Sequence, residues 1–383
     1  MKVLMISGDP NIFVEGSAVR ERIREYGVMF EELHVVVCVR DLKREGPAVE
    51  KLAKNTFAYV AGASSVIGRL RAGLRVGTEI VSHWKNSRPA SDKRYVVTAQ
   101  DPFELGLVAW RISSRFDIPL QLQVHTDFLS PYFKKGSLKN RARLVLAHML
   151  IPRAQSIRVV SERIKRSLLL KYHRITPNIH VVPIFVDIDT LRSVQAVDLR
   201  KKYPGFDRII LMASRLSSEK NIPMAIRAFR EVVKKHPRTG LLIVGSGPEE
   251  LRLKAYAERL DLKGKIFFGG WQSSIAPFAK AAHIFLSTSL YEGYGLSVVE
   301  AAVTGTLVVS SDVGIATELL PERCRFEPRD EEDLQWILCR AVGESRERQE
   351  SLRFIRDHIQ YVTYKSKEAQ LKALKETFEA AVR

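Results

Sequence analysis

Short apolar runs alternate with longer amphipathic stretches along all 383 residues of the chain. The runs have the length of buried strands, and the stretches repeat their apolar residues at the period of an α-helix. Alternating β and α units of this kind predict parallel sheets covered by helices. Because the chain is longer than one hydrophobic core usually supports, we expect two such α/β domains.

The predicted elements are spread evenly over both halves of the chain. In the first half the predicted strands are Val3–Ser7, His34–Val39, Phe57–Val60, Tyr95–Thr98, Leu120–Val124, Ser156–Val160 and Ile179–Val182. In the second half they are Ile209–Ala213, Leu241–Val244, Lys265–Phe268, Ile284–Leu286 and Leu307–Ser310. The clearest predicted helices are Ser17–Tyr26, Pro102–Arg115, Ile222–Lys235, Glu249–Leu260 and Leu334–Gly343.

The stretch with the weakest pattern of regular structure is Pro183–Asp207. We therefore predict the interdomain linker there, with a first domain over residues 1–190 and a second over residues 191–360. The last segment, Tyr361–Arg383, has a charged helical pattern. It could pack on either domain, and packing back on the first domain stays open as one of these alternatives.

Composition favours a globular protein without membrane-spanning helices. A hydrophobic content of 45% excludes a disordered or fibrous chain. The scattered cysteines Cys38, Cys324 and Cys339 are typical of reduced thiols in a cytosolic protein. No run reaches the roughly 18 apolar residues that a membrane-spanning helix needs. The N-terminal MKVLMISGDP fits a first strand better than a signal peptide, so we expect a cytoplasmic protein.

The chain is strongly basic, with 61 Lys and Arg against 43 Asp and Glu, which gives a net charge of +18. The excess lies mostly in the first half, where Lys139–Arg174 contains a single acidic residue, Glu162, among many basic and apolar ones. Such charge attracts nucleic acid, anionic lipid or a phosphorylated substrate. Because stacking aromatic residues are not interleaved with the basic ones, we do not expect nucleic acid. We predict peripheral attachment to an anionic membrane surface, with a solvated basic face or a phosphate-rich soluble acceptor as the alternative.

Open parallel sheets bind ligands at the carboxyl ends of their strands. In the second half, the loop after Ile209–Ala213 carries Arg215 and Lys220 and leads into a helix, whose N-terminus favours an anion. The two cations predict a site for a diphosphate. The next loop contains Gly245 and Gly247, a weak Gly-x-Gly signal that lacks the third glycine of the dinucleotide fingerprint.

The most specific motif is Tyr291–Ala302, which follows the strand Ile284–Leu286. Its glycines let a loop run close to a ligand and then open a helix. Glu300 lies in that helix among Val and Ala residues, where a carboxylate is costly unless a partner satisfies it. A ribose diol is a suitable partner for Glu300, and Glu292 in the loop could accept hydroxyl groups of a sugar.

The motifs SRLSSEKN, LLIVGSGP and EGYGLSVVEA, followed by Gly314-x-x-x-Glu318, resemble those of the retaining glycosyltransferases of family 4. That family has the GT-B fold, two Rossmann-like parallel-sheet domains facing each other across a cleft. The resemblance implies that Arg215 and Lys220 bind the donor diphosphate, Glu300 the ribose and Glu292 the transferred sugar. Further donor contacts are implied for Gly16, Gly245, Gly247, Gly293, Tyr294, Gly295 and Leu296. The residues Leu307, Val313 and Ala316 depart from the family pattern around the Gly314 loop.

In the first half, His125 follows the strand Leu120–Val124, where the family has a histidine near the donor sugar. We therefore predict His125 as a catalytic residue beside Arg215, Lys220 and Glu292. Candidates for acceptor binding or support are Ser17, Asp101 and Asp127. For Asp101 a helix start at Pro102 is an equally good interpretation.

Asp187-Ile188-Asp189 resembles a metal-binding Asp-x-Asp, but it falls in the predicted linker, and no His or Cys cluster suggests zinc. We expect no metal and no cofactor. The predicted function is transfer of a hexose from a UDP- or GDP-linked sugar, with retention, to a glycan or a lipid-linked acceptor. Its setting would be cell-envelope or exopolysaccharide synthesis at the inner face of the membrane. A dinucleotide-dependent Rossmann protein and a basic nucleic-acid-binding protein are the alternatives.

Overall fold

The computed structural model describes residues 1–40, 48–86, 94–172, 178–343 and 346–382. Arg174 of the basic stretch and Arg383 of the C-terminal segment lie outside these ranges. The chain divides into two compact units. The first unit comprises Met1–Leu129, Ser137–Val182 and Glu368–Arg383, and the second comprises Ser130–Gly136 and Pro183–Lys367.

The described strands follow the predicted ones closely. They are β1 (Lys2–Ser7), β2 (Glu32–Val39), β3 (Val49–Ala53), β4 (Thr56–Gly62), β5 (Tyr95–Ala99), β6 (Leu120–Val124), β7 (Ser156–Val159), β8 (Asn178–Val181), β9 (Arg208–Ala213), β10 (Thr239–Val244), β11 (Ile266–Gly270), β12 (Ile284–Ser287), β13 (Leu307–Ser311) and β14 (Arg325–Phe326). All the predicted strands are confirmed, while β3 and β14 were not predicted.

The described helices include all the predicted ones. They are α1 (Ala18–Gly27), α2 (Val66–Asn86), α3 (Glu104–Phe116), α4 (Pro131–Gly136), α5 (Leu138–Leu150), α6 (Glu162–Lys171), α7 (Ile188–Ser193), α8 (Leu199–Lys202), α9 (Ile222–Lys235), α10 (Glu250–Arg259), α11 (Ala276–Ala281), α12 (Leu296–Val303), α13 (Ala316–Leu319), α14 (Glu331–Gly343), α15 (Arg346–Val362) and α16 (Lys367–Val382). None of the described helices is long and apolar enough to cross a membrane.

The first unit is built on a sheet with the strand order β3-β4-β2-β1-β5-β6-β7-β8. Its strands pair in parallel except for β3, which runs antiparallel to β4 at one edge. The predicted parallel sheet therefore carries one additional, antiparallel strand at this edge. The short connection between β3 and β4 explains the difference, because it is long enough for a hairpin but too short for a crossover helix.

The second unit contains the parallel sheet β11-β10-β9-β12-β13-β14. Its central strands are almost fully buried: every residue of β10 and β13 is buried. Such strands are typical of a sheet covered by helices on both faces. The order places the carboxyl ends of β10, β9 and β12 next to one another, and the loops that follow these strands carry the predicted site.

The predicted linker is more ordered than its sequence pattern indicates. Pro183–Asp207 contains the short helices α7 and α8 and groups with the second unit, whose main segment begins at Pro183. The side chains of Asp187 and Asp198 accept hydrogen bonds from backbone N–H groups at the starts of these helices, at 2.9 and 2.8 Å. Helix capping of this kind involves polar side chains, so the pattern of apolar residues does not predict these short helices.

The C-terminal helix α16 belongs mainly to the first unit. Phe378 is buried and packs edge-on against Phe30, with ring centroids 4.9 Å apart. The Thr377 carbonyl accepts a hydrogen bond of 2.7 Å from Ser156 Oγ on β7. Of the two alternatives for this segment, the contacts of α16 therefore correspond to packing against the sheet of the first unit.

Candidate active site

The loop after β9 exposes a cation at the carboxyl edge of the second sheet. Arg215 is exposed, and within the described ranges no ion pair or hydrogen bond involves its guanidinium. Lys220 ends a short 3₁₀ turn, Ser218–Lys220, directly before α9. Its ammonium group pairs with the Glu292 carboxylate from the loop after β12. Both predicted cations thus follow β9, and the loop after the neighbouring strand β12 supplies the carboxylate that pairs with Lys220.

The loop after β10 packs directly against the loop that carries Arg215. Gly245 has a φ of +131°, and a Cβ atom there would collide with the Ser214 carbonyl oxygen. A Cβ at Gly247 would meet the backbone of Leu216 in the same way. These glycines are therefore required for the two loops to pack, whereas their contact with a donor stays a prediction.

The loop after β12 holds Glu292 through one of its oxygens. Glu292 Oε1 accepts hydrogen bonds from Lys220 Nζ and from Ser289 Oγ, the latter at 2.8 Å. Thr288 Oγ1 in turn donates to the Lys220 carbonyl at 2.8 Å. No described hydrogen bond uses Glu292 Oε2, so this oxygen is available to accept a hydroxyl group.

The Tyr294 side chain is buried and does not offer its ring to a ligand, and the donor contact of this residue stays a prediction. The side chain is 3% exposed, and its hydroxyl donates to the Val362 carbonyl. Burial raises the pKa of Tyr294, which keeps this hydroxyl a donor. Around it, Gly293 is buried, Gly295 opens α12 with a φ of +93°, and Leu296 is 40% exposed.

Glu300 lies in the second turn of α12, with a half-buried carboxylate. No hydrogen bond or ion pair to this carboxylate is present in the described parts of the chain. Burial raises the pKa of Glu300 from 4.5 to about 6. A half-buried carboxylate without a protein partner is a costly arrangement, and a ligand with hydroxyl donors would relieve it.

In the first unit, His125 follows β6 as predicted, and its side chain is exposed. Gln123 Oε1 accepts a hydrogen bond of 3.1 Å from the buried Arg158 guanidinium and lies 3.3 Å from His125 Nε2. Because Gln123 Oε1 can only accept, His125 Nε2 carries the proton and Nδ1 is left as an acceptor. Desolvation by the surrounding protein and the charge of Arg158 lower the pKa of His125, so the ring is neutral near pH 7.

The Gly16 loop is positioned by an ion pair between Glu15 and Arg20, which the motifs do not indicate. Gly16 has a φ of +73°, and Ser17 caps α1 by accepting a hydrogen bond of 3.1 Å from the Arg20 backbone N–H. Ser17 Oγ also donates to the Asn11 carbonyl. The buried Arg20 guanidinium pairs with Glu15 at 2.7 Å, next to Gly16. Ser17 Oγ thus caps the helix α1, and this structural role explains the presence of a serine here without any contact to an acceptor substrate.

Asp101 and Asp127 lie in different loops of the first unit. Asp101 Oδ1 accepts a hydrogen bond of 2.8 Å from the Phe103 backbone N–H, just before α3 begins at Glu104. Burial raises the pKa of Asp101 to about 6. The helix-start interpretation of Asp101 therefore explains its position. Asp127 is half-buried in the loop after β6, two residues beyond His125.

The geometry suits binding of a diphosphate and of hydroxyl groups at one sheet edge. Family models match both halves of the chain: one described as Glycosyl transferases group 1 matches residues 198–349, and one described as Glycosyltransferase Family 4 matches residues 49–190. The chain belongs to glycosyltransferase family 4. Its resemblance in motifs to that family is confirmed, and so is the α/β fold of GT-B type with two parallel-sheet domains.

Known glycosyltransferases of this group resemble the chain in sequence and in fold. The alpha-monoglucosyldiacylglycerol synthase of Streptococcus pneumoniae is 29% identical over 227 residues, 56% of this chain and 51% of that protein. The chain thus spans about half the length of this relative. Sucrose-phosphate synthase from Thermosynechococcus elongatus has a similar fold, with a TM-score of 0.77, 18% identity and coverage of 99% and 98% of the two chains. Anabaena HepE, solved in complex with UDP, gives 0.71 at 17% identity, with 99% and 100% coverage.

The motifs of the sequence indicated which loops of the second unit form the site. They did not indicate the hydrogen bonds that hold these loops in place. Lys220 and Glu292 form an ion pair, and Arg215 and Glu300 follow the same two neighbouring strands of the second unit, while the roles of all four residues stay predictions. Ser289 and Thr288, which hold Glu292 and the Lys220 backbone, gave no signal beyond being polar residues after a strand. The same is true of Gln123 and Arg158, which fix the His125 ring. Among the described residues no cluster of His, Cys, Asp and Glu could hold a metal ion.

Proposed function

We propose that the chain transfers a hexosyl group from a UDP- or GDP-linked sugar to a hydroxyl of a glycan or lipid-linked acceptor. The transfer would retain the anomeric configuration and need no metal cofactor. The observation that carries the proposal is the group at one sheet edge: an exposed Arg215, the Lys220–Glu292 pair and a half-buried Glu300 with no partner among the described residues. The UDP bound to the HepE relative supports a nucleoside diphosphate as the leaving group.

In this mechanism the two cations stabilise the charge that develops on the departing diphosphate. Arg215 and Lys220 donate charge-assisted hydrogen bonds to phosphate oxygens, which is the chemistry that a divalent ion would otherwise supply. Glu300 accepts the ribose hydroxyls, and Glu292 Oε2 accepts a hydroxyl of the sugar. An acceptor hydroxyl then attacks the sugar on the face that the diphosphate leaves, and the hydroxyl proton passes to the departing diphosphate oxygen.

A panel of sugar nucleotides tests the donor. The full chain is incubated with UDP-glucose, UDP-galactose, UDP-N-acetylglucosamine and GDP-mannose, and binding and slow hydrolysis are measured for each. We expect one donor to bind in competition with its free nucleoside diphosphate. Binding of NAD or of DNA, without binding of any sugar nucleotide, would favour the dinucleotide-dependent or nucleic-acid-binding alternatives.

The stereochemistry is tested on the product of transfer. The proton NMR coupling of the anomeric hydrogen distinguishes an α- from a β-linked sugar. We expect an α-linked donor to give an α-linked product. A β-linked product from an α-linked donor would show inversion and contradict the proposed retaining mechanism.

A lipid-linked acceptor at the inner face of a membrane suits the surface of the first unit. Leu138 and Val145 are 79% and 68% exposed, and they lie on one face of α5, flanked by the exposed Lys139 and Arg141. Apolar and basic side chains on one helix face are typical of helices that bind anionic lipid surfaces. The pneumococcal relative is named for a glucosyl lipid, which supports the same acceptor class.

A further inference from the structure

The second unit contains a cavity of about 820 Å³ that the proposed donor site does not use. It lies where β14, at the edge of the sheet, meets α14 and α15. Buried Phe326 and Ile337 form part of its apolar wall, and Trp336 and Phe354 add aromatic surface. Its volume is that of a typical site for a small organic ligand.

Trp336 is the most conspicuous side chain of this cavity. It is 54% exposed, although a tryptophan ring would be expected to lose much of its contact with water on folding. The Arg340 guanidinium lies 4.2 Å from the ring centroid and covers one ring face. The cavity is therefore lined by a flat, preorganised aromatic surface that no other described ring covers.

The charged side chains around the cavity leave an excess of carboxylates. Both arginines in the wall already have acidic partners, Arg325 with Asp312 at 3.2 Å and Arg323 with Glu350 at 3.1 Å. Three further carboxylates line the cavity, those of Glu322, Glu327 and Asp333. None of the three has an ion-pair partner within the described residues. In a chain with a net charge of +18, this is a locally acidic surface.

Together, the aromatic face and the carboxylates define the kind of ligand. Carboxylates repel phosphate groups, so a second nucleotide does not fit this cavity. A cationic amine would meet the positive charge of Arg340 across the Trp336 ring. A neutral sugar ring fits both features, since its C–H groups pack on the negative face of an aromatic ring and its hydroxyls donate to carboxylates.

We propose that this cavity is a second carbohydrate-binding site. A neutral pyranose unit of a glycan packs on the Trp336 ring there, and its hydroxyl groups donate hydrogen bonds to the carboxylates of Glu327 and Asp333. Asp312, in the cavity wall, comes shortly before Gly314, whose loop packs on the backbone of Tyr294 in the proposed donor loop. The proposal does not depend on which donor the enzyme uses.

Binding of neutral oligosaccharides tests the site. The full chain is titrated with maltotriose, cellotriose and tri-N-acetylchitotriose, with tryptophan fluorescence and calorimetry as readouts. We expect saturable binding of at least one glycan, and about tenfold or more weaker binding in Trp336→Ala, because truncating an anchoring aromatic residue is among the largest losses at a binding site. Trp336→Phe keeps an aromatic face and should restore part of the affinity. Trp336 is exposed, so neither substitution should affect folding.

Matched variants separate this cavity from other surfaces. Trp271→Ala removes another exposed tryptophan of the same unit, 70% exposed, and Lys220→Ala weakens the proposed donor site. Both should bind the glycan as the unmodified protein does, even if no sugar nucleotide is ever turned over. The proposal is overturned if none of the three glycans binds, if Trp336→Ala binds as well as the unmodified protein, or if spermidine binds to this cavity and glycans do not.

Discussion

Arg215 and Lys220 differ in how much of their charge the protein already uses. Lys220 pairs with Glu292, whereas the Arg215 guanidinium has no partner in the described part of the chain. An incoming diphosphate therefore meets the full charge of Arg215 but shares Lys220 with a carboxylate. In the proposed donor site, the Lys220–Glu292 pair would also link the phosphate end of a donor to its sugar end, because no described hydrogen bond uses Glu292 Oε2.

Removing either cation should reduce transfer strongly and leave stability nearly unchanged. For Arg215→Ala and Lys220→Ala we expect kcat/KM to fall roughly 100- to 1000-fold, the usual loss for one donor to a developing negative charge. Lys254→Ala is the control, since Lys254 makes a surface ion pair with Glu250 at 2.7 Å. Steady-state kinetics and thermal melting measure the effects. Near-normal turnover of a folded Lys220→Ala enzyme would contradict its assignment to the diphosphate.

Glu300 should contribute to donor binding through its charge rather than its shape. In Glu300→Gln the side chain keeps its volume, and we expect the donor to bind more weakly by roughly 1.5–3 kcal/mol, the value of charge-assisted hydrogen bonds. Calorimetry with the donor at pH 8 measures this. Since the pKa of Glu300 is about 6, affinity for the donor should also fall below pH 6 in the unmodified protein but not in the variant.

The same carboxylate should cost stability at neutral pH. Because folding raises the pKa of Glu300 from 4.5 to about 6, the folded protein binds more protons than the unfolded chain between these values. Stability from this group is therefore present below pH 4.5 and is lost as the pH rises through 6. Denaturant unfolding should show Glu300→Gln gaining about 2 kcal/mol relative to the unmodified protein between pH 4 and pH 8. An equal difference between the two proteins at both pH values would mean that Glu300 is not desolvated.

At the residue scale, sequence alone could identify side chains whose chemistry conflicts with their surroundings. Glu300 stands out because it interrupts an apolar helix, and Arg215 because it follows a buried strand. The burial of Tyr294 does not follow from its glycine-rich neighbours, because its hydroxyl donates to the distant Val362 carbonyl. That bond joins positions 68 residues apart, and local sequence carries no information about such a partner.

At the scale of elements, the donor loops owe their shape to one another. The loops after β9 and β10 touch through backbone atoms, since Ser214 N–H donates to the Val244 carbonyl and Leu216 N–H to the Ser246 carbonyl, at 3.1 and 3.0 Å. Gly245 makes this approach possible. The position of Arg215 therefore depends on a glycine in a different loop.

Gly245→Ala should disturb this pair of loops. The added methyl group meets the Ser214 carbonyl at a φ of +131°, so we expect a loss of roughly 2 kcal/mol or more in the free energy of unfolding. Donor affinity should fall as well, because Arg215 moves with its loop. Gly205→Ala is the control, since nothing lies within 4 Å of a Cβ there. Equal stability of the two variants by urea unfolding would show that the loops do not need the glycine.

Strands with continuous apolar runs were predictable from the chain, whereas the edge strands β3 and β14 were not. The buried strands are continuous apolar runs, so their existence follows from burial alone. The edge strands β3 and β14 lack such runs: Val49–Ala53 reads VEKLA, and Arg325–Phe326 is only two residues long. Their formation depends on pairing with β4 and β13, which is tertiary information.

At the scale of the whole molecule, the net charge of +18 is only partly used inside the protein. Within the basic stretch, Arg158 is buried against Gln123, and Arg143 pairs with Glu104 at 2.9 Å. Others stay exposed next to apolar side chains, notably Lys139 beside Leu138 on α5, while Leu170 of α6 is 82% exposed.

This surface should bind anionic membranes reversibly. Each basic residue near an anionic leaflet contributes on the order of 1 kcal/mol, and insertion of Leu138 and Val145 would add the transfer of apolar surface out of water. We expect the protein to float with phosphatidylglycerol vesicles at low salt and to dissociate as salt rises. The double substitution Leu138→Ser and Val145→Ser should abolish flotation, while Val28→Ser, at a position 84% exposed on the same unit, should not. Equal recovery with anionic and with phosphatidylcholine vesicles would exclude an electrostatic membrane surface and favour a soluble, phosphate-rich acceptor.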